Sequence, residues 1–404
     1  MLLKTLDAYD FVVPPVIRFG PGRIVEIGEV VASLGKRAWL VGSDRGLRQS
    51  TAKGQIEKSL SQAGIPWQIV ATSCGEPTVD QVAAALAALP LGDRSGVVVV
   101  AIGGGSAIDL AKAVAAMATN LPANTSGQDI DYDTGVSDHL EGVGRCLAIQ
   151  QWPLPLVAVP TTAGTGAEAT RNAVISCPRR RLKKSMRSWM MVPRAAIVDP
   201  QLTVSCDRAT TAATGLDCIT QLIESFVCRF KRPVPRALAL DGLPQAVRAL
   251  PRVLRDPADL EARGAMSHAA LLSGMALANA GLGMAHGVAA ALGVECGTPH
   301  GVACALMLPV AIRVNSPVAS ADFAMLERSI DPAASTDDGV AAAALLTRIQ
   351  RLCLEAGVPQ RLSAVGLRPE RLDWLAENSG GSSLRGNPVE IDPASLREIL
   401  AAIY

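Results

Sequence analysis

The stretch VVVVAIGGGSAIDLAK (residues 97–112) predicts a buried strand, a glycine turn and a helix in direct succession. Four consecutive valines are typical of a strand covered on both faces, as in a parallel sheet between layers of helices. Gly103, Gly104 and Gly105 carry no Cβ atom, so backbone amides of the turn can approach a bound group closely. The positive end of the next helix favours a phosphate here, with Ser106 as the expected N-cap residue.

The alternative for this turn is an ordinary strand-to-helix connection closed by a capping box of Ser106 and Asp109. Three glycines at the end of a buried strand are uncommon in a simple turn, which favours phosphate binding. The spacing is neither the GxGxxG of the usual dinucleotide fingerprint nor a phosphate loop ending in GK[ST]. The turn therefore indicates a nucleotide site of a different pattern.

A second loop, VPTTAGTGAEAT (159–170), also follows an apolar run and offers the hydroxyls of Thr161, Thr162 and Thr165. Two such loops at strand ends of one sheet predict a long ligand with a pyrophosphate. Asp44 ends a third strand-like run and could hold a ribose 2′-hydroxyl. Its carboxylate would repel a 2′-phosphate, which favours NAD over NADP. A purely turn-forming role is the alternative for this aspartate.

The organisation changes near Asp199–Pro200. Strand-like runs alternate with helical stretches before this point, which predicts a mostly parallel sheet. Long Ala/Leu-rich helical segments without a convincing strand follow it. We therefore expect an α/β nucleotide-binding domain at residues 1–200 and an all-α helical domain for metal and substrate at 201–404, with a cleft between them. The strand-like runs are AWLVGSD (38–44), PWQIVA (66–71), GVVVVAIGGG (96–105), LVAVPTT (156–162) and AAIVDP (195–200).

Composition narrows the class of protein. The chain has 404 residues, 49% of them hydrophobic, and a net charge of +1, so nothing suggests nucleic acid or an anionic membrane as a partner. Apolar runs are shorter than the roughly 20 residues of a membrane span. The N-terminus lacks the features of a signal peptide. The nine cysteines form no CxxC pair, which favours reduced thiols and a cytoplasmic location.

The stretch TGLDCITQLIE (214–224) suggests half of a metal site. Asp217 and Gln221 stand four residues apart and share one face of a helix. His286 and His300 occur around a glycine-rich stretch further along the chain. An aspartate with two histidines leaves a fourth position for water or substrate, as in catalytic metal sites. Gln221 is a weak ligand by comparison, and Cys296 is a further candidate.

Four motifs in order along nearly the whole chain resemble the iron-containing (group III) alcohol dehydrogenases: GGGSAIDLAK, PTTAGTGAEAT, TAATGLDCITQLIE and GLGMAHGVAAALGVECGTPHG. The resemblance implies a homodimer with an active site in the cleft. It implies metal ligands at Asp217, His286 and His300, three of the family's four. It also matches Asp44 to an acidic position associated with NAD preference. The implied dinucleotide contacts are Gly104, Gly105, Ser106, Asp109, Thr161, Thr162, Thr165 and Lys183.

Two positions depart from the family pattern. Gln221 stands where the family has its second metal-binding histidine, and Ala290 stands where a further histidine often lies near the substrate. A glutamine oxygen can still coordinate a divalent ion, but we expect weaker binding of Fe²⁺ or Zn²⁺.

The resemblance implies hydride transfer between NAD and a small primary alcohol or its aldehyde, assisted by a divalent metal. Three alternatives stay open. One is a metal-free reductase of the same fold, similar to maleylacetate reductases, in which His286 or His300 donates to the substrate oxygen. Another is a lyase resembling dehydroquinate synthase, although GLGMAHGVAAALG (281–293) offers no basic residue for an acidic substrate. The third is a non-catalytic NAD-binding protein.

Overall fold

The computed structural model describes residues 8–49, 51–90, 93–122 and 130–404. Six strands form one sheet in the order β1-β8-β5-β4-β2-β3, and each neighbouring pair is parallel. Two further strands, β6 and β7, form an antiparallel pair. The strands are β1 (Val16–Phe19), β2 (Arg37–Ser43), β3 (Trp67–Ser73), β4 (Val97–Gly103), β5 (Leu156–Pro160), β6 (Asn172–Cys177), β7 (Leu182–Arg187) and β8 (Ala195–Val198).

The helices surround the sheet in the first half and form the second half by themselves. In the first half they are α1 (Ile27–Leu34), α2 (Thr51–Gln62), α3 (Val79–Ala87), α4 (Gly105–Asn120) and α5 (Tyr132–Ser137). In the second half they are α6 (Arg208–Val227), α7 (Pro233–Arg255), α8 (Leu260–Ala280), α9 (Met284–Cys296), α10 (His300–Ile330), α11 (Asp338–Glu355), α12 (Leu372–Asn378), α13 (Gly381–Arg385) and α14 (Pro393–Ala401).

This architecture confirms the predicted fold class, an α/β half with a mostly parallel sheet followed by an all-helical half. Every residue of β4 is buried, because the strand is central in the sheet and helices cover both faces. Within the described residues no strand follows Val198. The division of the chain at residue 200 stays a prediction. The sequence did not indicate the edge strand β1 or the antiparallel partner β6.

The core of the helical half is built from small and aliphatic side chains on α6 to α11. Helix α10 is apolar enough over 18 residues, with a mean hydropathy of 1.6, to cross a membrane by composition alone. However, 67% of that window is buried against other parts of the protein. Its apolar character therefore belongs to the core of the helical half.

Helix α4 begins two residues earlier than an N-cap at Ser106 would require. Its N-cap is Gly104, with no side-chain cap among the described residues, so the expected capping role of Ser106 is wrong. The proposed capping box is also absent, because the carboxylate of Asp109 accepts a hydrogen bond from the backbone N–H of Val174 at 3.0 Å. The first N–H groups of α4 therefore have no side-chain cap among the described residues, which suits the binding of an anion.

A buried lysine fixes α4 against the chain that enters β6. The ammonium group of Lys112 donates to the carbonyl and hydroxyl oxygens of Thr170, both at 2.7 Å, and to the carbonyl of Asn172 at 3.1 Å. Because three oxygens surround this cation, its burial is offset by hydrogen bonds. The lysine thus positions the segment that follows the threonine-rich loop.

Candidate active site

The glycine loop, residues 103–105, lies where β4 ends between β2 and β5. Gly103 has a φ of +150°, which residues with a side chain rarely adopt. A Cβ atom added to Gly105 would stand 2.6 Å from the hydroxyl of Thr165, and one added to Gly104 would stand 3.2 Å from the side chain of Thr162. Glycine is required here because the second loop packs directly on the first.

The second loop, residues 161–166, is called the threonine loop below. The backbone N–H of Thr161 donates to the carbonyl of Gly103 at 2.9 Å, and Gly103 pairs with Pro160 in the sheet. Asp44 directly follows β2, on the other side of β4. The structure therefore brings the two predicted phosphate loops and Asp44 to one edge of the sheet. Their contacts with a dinucleotide stay predictions.

Two other predicted cofactor residues already have protein partners. The side chain of Lys183 on β7 is only 10% exposed and forms an ion pair with Glu76. Asp109 is bonded to the backbone of β6, and burial raises its pKa to about 6 although the positive charge of Lys112 opposes the rise. Both residues lie at the junction of α4 with the antiparallel pair, and their roles toward a cofactor stay predictions.

Helix α6 carries the first part of the candidate metal site. Asp207 caps the helix by accepting a hydrogen bond from the N–H of Thr210 at 2.7 Å. Asp217, Gln221 and Glu224 then follow at positions that share one face of the helix. All three side chains are buried, so each polar atom needs a partner inside the protein.

Four side chains meet at this face: Asp217 from α6, His286 from α9, and His300 and Cys304 from α10. Each offers one potential ligand atom, and the four atoms lie within 4.8 Å of one another. Oδ1 of Asp217 is 3.3 Å from Nε2 of His286 and 3.8 Å from Nε2 of His300. Sγ of Cys304 is 3.6 Å from Nε2 of His300. We call these four residues the metal-capable cluster.

The cluster agrees with three of the ligands proposed from sequence and adds one. Cys304 was not identified, although it stands four residues after His300 and therefore on the same face of α10. Cys296, which the sequence left as a candidate, is not a member of the cluster. Oδ1 of Asp217 and Nε2 of His286 are buried without a hydrogen-bond partner among the described residues. Unpaired lone pairs that converge in this way fit a cation.

Glu224 orients His286 and was also missed from sequence. Its Oε2 atom lies 2.6 Å from Nδ1 of His286, and its Oε1 accepts the backbone N–H of Ala285 at 2.7 Å. A carboxylate on α6 therefore satisfies the free amides at the start of α9 and also turns Nε2 of His286 toward the cluster. Gly283 leaves room for this carboxylate, because a Cβ atom there would stand 2.8 Å from Oε1.

Gln221, the fourth ligand suggested from sequence, faces the cluster with its amide nitrogen. That nitrogen donates to Oδ2 of Asp217 at 3.2 Å, and the amide oxygen accepts from the hydroxyl of Ser273 at 2.8 Å. An amide nitrogen has no lone pair free for a metal. Coordination by Gln221 would therefore require its amide to rotate by about half a turn, and its role as a ligand stays a prediction.

Electrostatics couple the four groups of the metal-capable cluster. Burial lowers the pKa of His300 to about 4, helped by the nearby charges of Lys183 and His286. Burial also lowers the pKa of His286, but Cys304, Asp217 and Glu224 outweigh it and raise that pKa well above the usual value. For Asp217 burial acts to raise the pKa, and the two histidines bring it below the usual range. The carboxylate of Asp217 is thus held in its charged form.

The threonine loop connects the nucleotide edge to the metal-capable cluster. A Cβ atom on Gly164 would stand 2.4 Å from Cβ of Thr214, which lies three residues before Asp217 on α6. On the other side, a Cβ atom on Gly274 of α8 would stand 2.1 Å from the carbonyl oxygen of Gly166. Backbone packs against backbone at these points, so the loop and the helices hold the two candidate sites at a fixed separation.

A sheet edge with two glycine- and threonine-rich loops, facing a buried aspartate, histidine and cysteine cluster, is the arrangement of a nucleotide-dependent oxidoreductase with a metal-capable centre. Comparison with known proteins specifies the family. Residues 14–200 match the profile of "iron-containing alcohol dehydrogenase", and residues 211–404 match that of "Fe-containing alcohol dehydrogenase family, C-terminal".

Individual proteins give the same result along the full length. The chain is 31% identical to alcohol dehydrogenase 4 of Saccharomyces cerevisiae, over 98% of both chains. It is 34% identical to 1,3-propanediol dehydrogenase of Klebsiella pneumoniae, over 95% of this chain and 97% of the other. The solved sulfoacetaldehyde reductase from Bifidobacterium kashiwanohense in complex with NAD+ superposes with a TM-score of 0.83 at 28% identity, over 98% of this chain and 99% of that one. The chain therefore belongs to the iron-containing alcohol dehydrogenase family, whose members are NAD(P)-dependent oxidoreductases that act on CH–OH groups.

Proposed function

We propose that this protein is an NAD-dependent alcohol dehydrogenase that acts on a small primary alcohol or, in reverse, on its aldehyde. In oxidation, the carbinol carbon gives a hydride to the nicotinamide and the hydroxyl proton leaves to solvent, so that NADH and an aldehyde form. The observation that carries the proposal is the threonine loop, which contacts both the glycine loop and the helix of Asp217. A cofactor and a metal-held substrate would meet across this loop.

On this proposal the pyrophosphate lies on the glycine loop and the amides of α4, which carry no side-chain cap among the described residues. Thr161, Thr162 and Thr165 supply hydroxyls beside the phosphates. Asp44 accepts hydrogen bonds from the adenosine ribose, which favours NAD. The remaining proposed cofactor contacts are Gly103, expected from the glycine loop itself, and Gly104, Gly105, Ser106, Asp109 and Lys183, which the resemblance implies.

On this proposal Asp217, His286 and His300 hold a divalent metal, Fe²⁺ or Zn²⁺. Such an ion would act as a Lewis acid that stabilises negative charge on the substrate oxygen. Glu224 fixes the ring of His286 so that Nε2 faces the ion. The buried carboxylate of Asp217 supplies negative charge at the centre of the cluster.

A small, weakly polar substrate suits the surroundings of His286. Ala290 stands one turn further along α9, where the resemblance implies a histidine near the substrate in many relatives. Alanine at this position cannot carry a proton as a histidine could, and its smaller side chain leaves space for a substrate. Similar proteins include an alcohol dehydrogenase and a 1,3-propanediol dehydrogenase, both named for alcohols.

The proposed partners are limited to this substrate and a second copy of the chain in a cytoplasmic homodimer.

The second candidate is a metal-free reductase of the same fold. The amide nitrogen of Gln221, rather than a ligand atom, faces Asp217. In this version His286 or His300 donates a hydrogen bond or a proton to the carbonyl oxygen while NADH delivers the hydride. The two candidates differ in whether turnover depends on a bound ion.

The test combines metal analysis with kinetics on the purified protein. A panel of short primary alcohols with NAD or NADP, and of aldehydes with the reduced cofactors, is measured before chelation, after chelation and after return of Zn²⁺ or Fe²⁺. We expect NAD-linked turnover that falls on chelation and recovers with metal. Asp217→Asn should abolish it, whereas Asp241→Asn, which changes an exposed carboxylate on α7, should not.

Other outcomes separate the alternatives. Turnover that resists chelation in metal-free protein would favour the metal-free reductase. A preference for NADP would contradict the role given to Asp44. Binding of NAD without turnover on the whole panel would indicate a non-catalytic protein.

A further inference from the structure

The thiol of Cys304 differs in what it faces from two other buried thiols of the helical half, those of Cys228 and Cys353. Sγ of Cys353 points at the carbonyl of Ala305, and Sγ of Cys228 points at that of Ala280, at 3.6 and 3.4 Å. These are the ordinary contacts of a buried thiol that donates weakly to backbone. Sγ of Cys304 instead lies 3.6 Å from Nε2 of His300, inside the metal-capable cluster.

Three distances within the cluster are close to those of tetrahedral coordination. Zinc bonds of about 2.0–2.1 Å to nitrogen or oxygen and about 2.3 Å to sulfur place neighbouring ligand atoms about 3.3–3.4 Å apart, or about 3.5–3.6 Å when one is sulfur. Oδ1 of Asp217 and Nε2 of His286 are 3.3 Å apart, and Sγ of Cys304 is 3.6 Å from the His300 nitrogen. The distance from Asp217 to His300, 3.8 Å, is slightly longer.

The side chain at position 221 has a different task in this arrangement. Gln221 donates to Oδ2 of Asp217 and is itself held by Ser273. It therefore fixes one oxygen of the carboxylate and leaves the other, Oδ1, directed into the cluster. The residue that replaces the expected histidine supports a ligand instead of acting as one.

From these contacts we propose that Cys304 is the fourth protein ligand of the metal, in the place of the histidine that is absent at position 221, so that a substrate oxygen would enter as a fifth ligand. On binding, the S–H bond breaks, a metal–sulfur bond forms and the proton leaves to solvent. A thiolate is a soft donor, so the set of one carboxylate, two imidazoles and one thiolate favours zinc over iron or magnesium. This inference rests on the proposed metal-assisted function and specifies its ligand set and its metal.

The test is a spectroscopic titration of chelator-treated full-length protein with Co²⁺, which replaces zinc and absorbs visibly. A cobalt–thiolate bond adds an intense charge-transfer absorption in the near ultraviolet. We expect this absorption in the native protein, its loss in Cys304→Ser, and its retention in Cys296→Ser, a matched control at the end of α9. The affinity of Cys304→Ser for Zn²⁺ is measured by competition with a chromophoric chelator. Loss of a residue that only supports a ligand weakens metal binding by roughly 10- to 100-fold, so loss of the ligand itself should weaken it by no less than this.

A second measurement needs no variant. X-ray absorption of the native zinc protein should show one sulfur at about 2.3 Å from the metal. Bound cobalt or zinc with only nitrogen and oxygen neighbours would overturn the role of Cys304 and leave a metal-assisted dehydrogenase intact. Failure to bind either ion, combined with turnover that resists chelation, would overturn the metal-assisted function as well.

Discussion

Replacing Glu224 with glutamine tests whether the site depends on a residue outside the metal-capable cluster. The carboxylate accepts from Nδ1 of His286 at 2.6 Å, from the backbone N–H of Ala285 at 2.7 Å and from that of His286 at 3.4 Å. Glutamine has nearly the same shape but only one oxygen, so its NH₂ group must face one of these donors. The substitution removes the charge and one short hydrogen bond while it leaves the packing almost unchanged.

The expected magnitude follows from these contacts. A hydrogen bond to a charged group contributes about 1.5–3 kcal/mol, so Glu224→Gln should lower the free energy of unfolding of the metal-free protein by about the same amount. The ring of His286 also loses the partner that directs Nε2. Loss of such support typically weakens metal binding by about 10- to 100-fold, equivalent to about 1.4–2.8 kcal/mol.

Urea unfolding in the presence of a chelator measures the first effect, and competition with a chromophoric chelator measures the affinity for Zn²⁺. The matched control is Ser225→Ala, the next residue on α6, whose hydroxyl donates to the carbonyl of Gly281 at 3.3 Å. It should cost no more than about 1.5 kcal/mol and leave metal affinity unchanged. If Glu224→Gln kept its Zn²⁺ affinity within twofold, the orienting role of Glu224 would be refuted.

Three further changes have defined expected outcomes. Gly105→Ala places a Cβ atom 2.6 Å from Oγ1 of Thr165, and overpacking of this kind costs about 1–3 kcal/mol. We therefore expect NADH binding, measured by fluorescence titration, to weaken by roughly 5- to 150-fold. In the control Gly54→Ala the added Cβ atom meets no atom within 4 Å, so NADH binding should not change. Burial raises the pKa of Glu168 from 4.5 to about 7, so the folded protein retains a proton that the unfolded chain has lost, and this group makes stability fall as the pH rises from 4.5 through 7. Glu168→Gln should remove roughly 3 kcal/mol of that decline in urea unfolding at a series of pH values, and an unchanged pH slope would contradict this reading. Gln221→His removes the amide that holds Oδ2 of Asp217 and should therefore lower Zn²⁺ affinity, whereas a gain would show that position 221 accepts a ligand and would contradict the supporting role of Gln221.

The fold was predictable because strand and helix signals in the first half are strong. Four valines before three glycines located β4 and the turn after it. The exact start of α4 was not predictable, because three consecutive glycines offer the helix several equivalent starting points. β6 and β7 were harder to recognise since their pairing is antiparallel and β7, LKKSMR, is mostly polar. Their stability depends on contacts with α4 that are distant in sequence, such as that between Asp109 and Val174.

The candidate site was predictable where its residues belong to types that commonly bind metals. Asp217, His286 and His300 are typical ligands, and the structure brings them together. Cys304 lies in an apolar run, where a cysteine is usually a small core residue, and only its spacing of four residues from His300 could have singled it out. Glu224 gave a similar weak signal, seven residues after Asp217. Both roles depend on the angle between helices, which local sequence does not encode.

The close approach of Gly166 to Gly274 has a consequence for how this protein can change over time. Single replacements at positions such as 221 or 290 change the chemical groups of the candidate site without moving the surrounding backbone. A methyl group at either glycine would force the threonine loop away from α8, and with it the nucleotide edge away from Asp217. Residues of the site can therefore be exchanged in this chain while the separation between the glycine loop and the metal-capable cluster is kept.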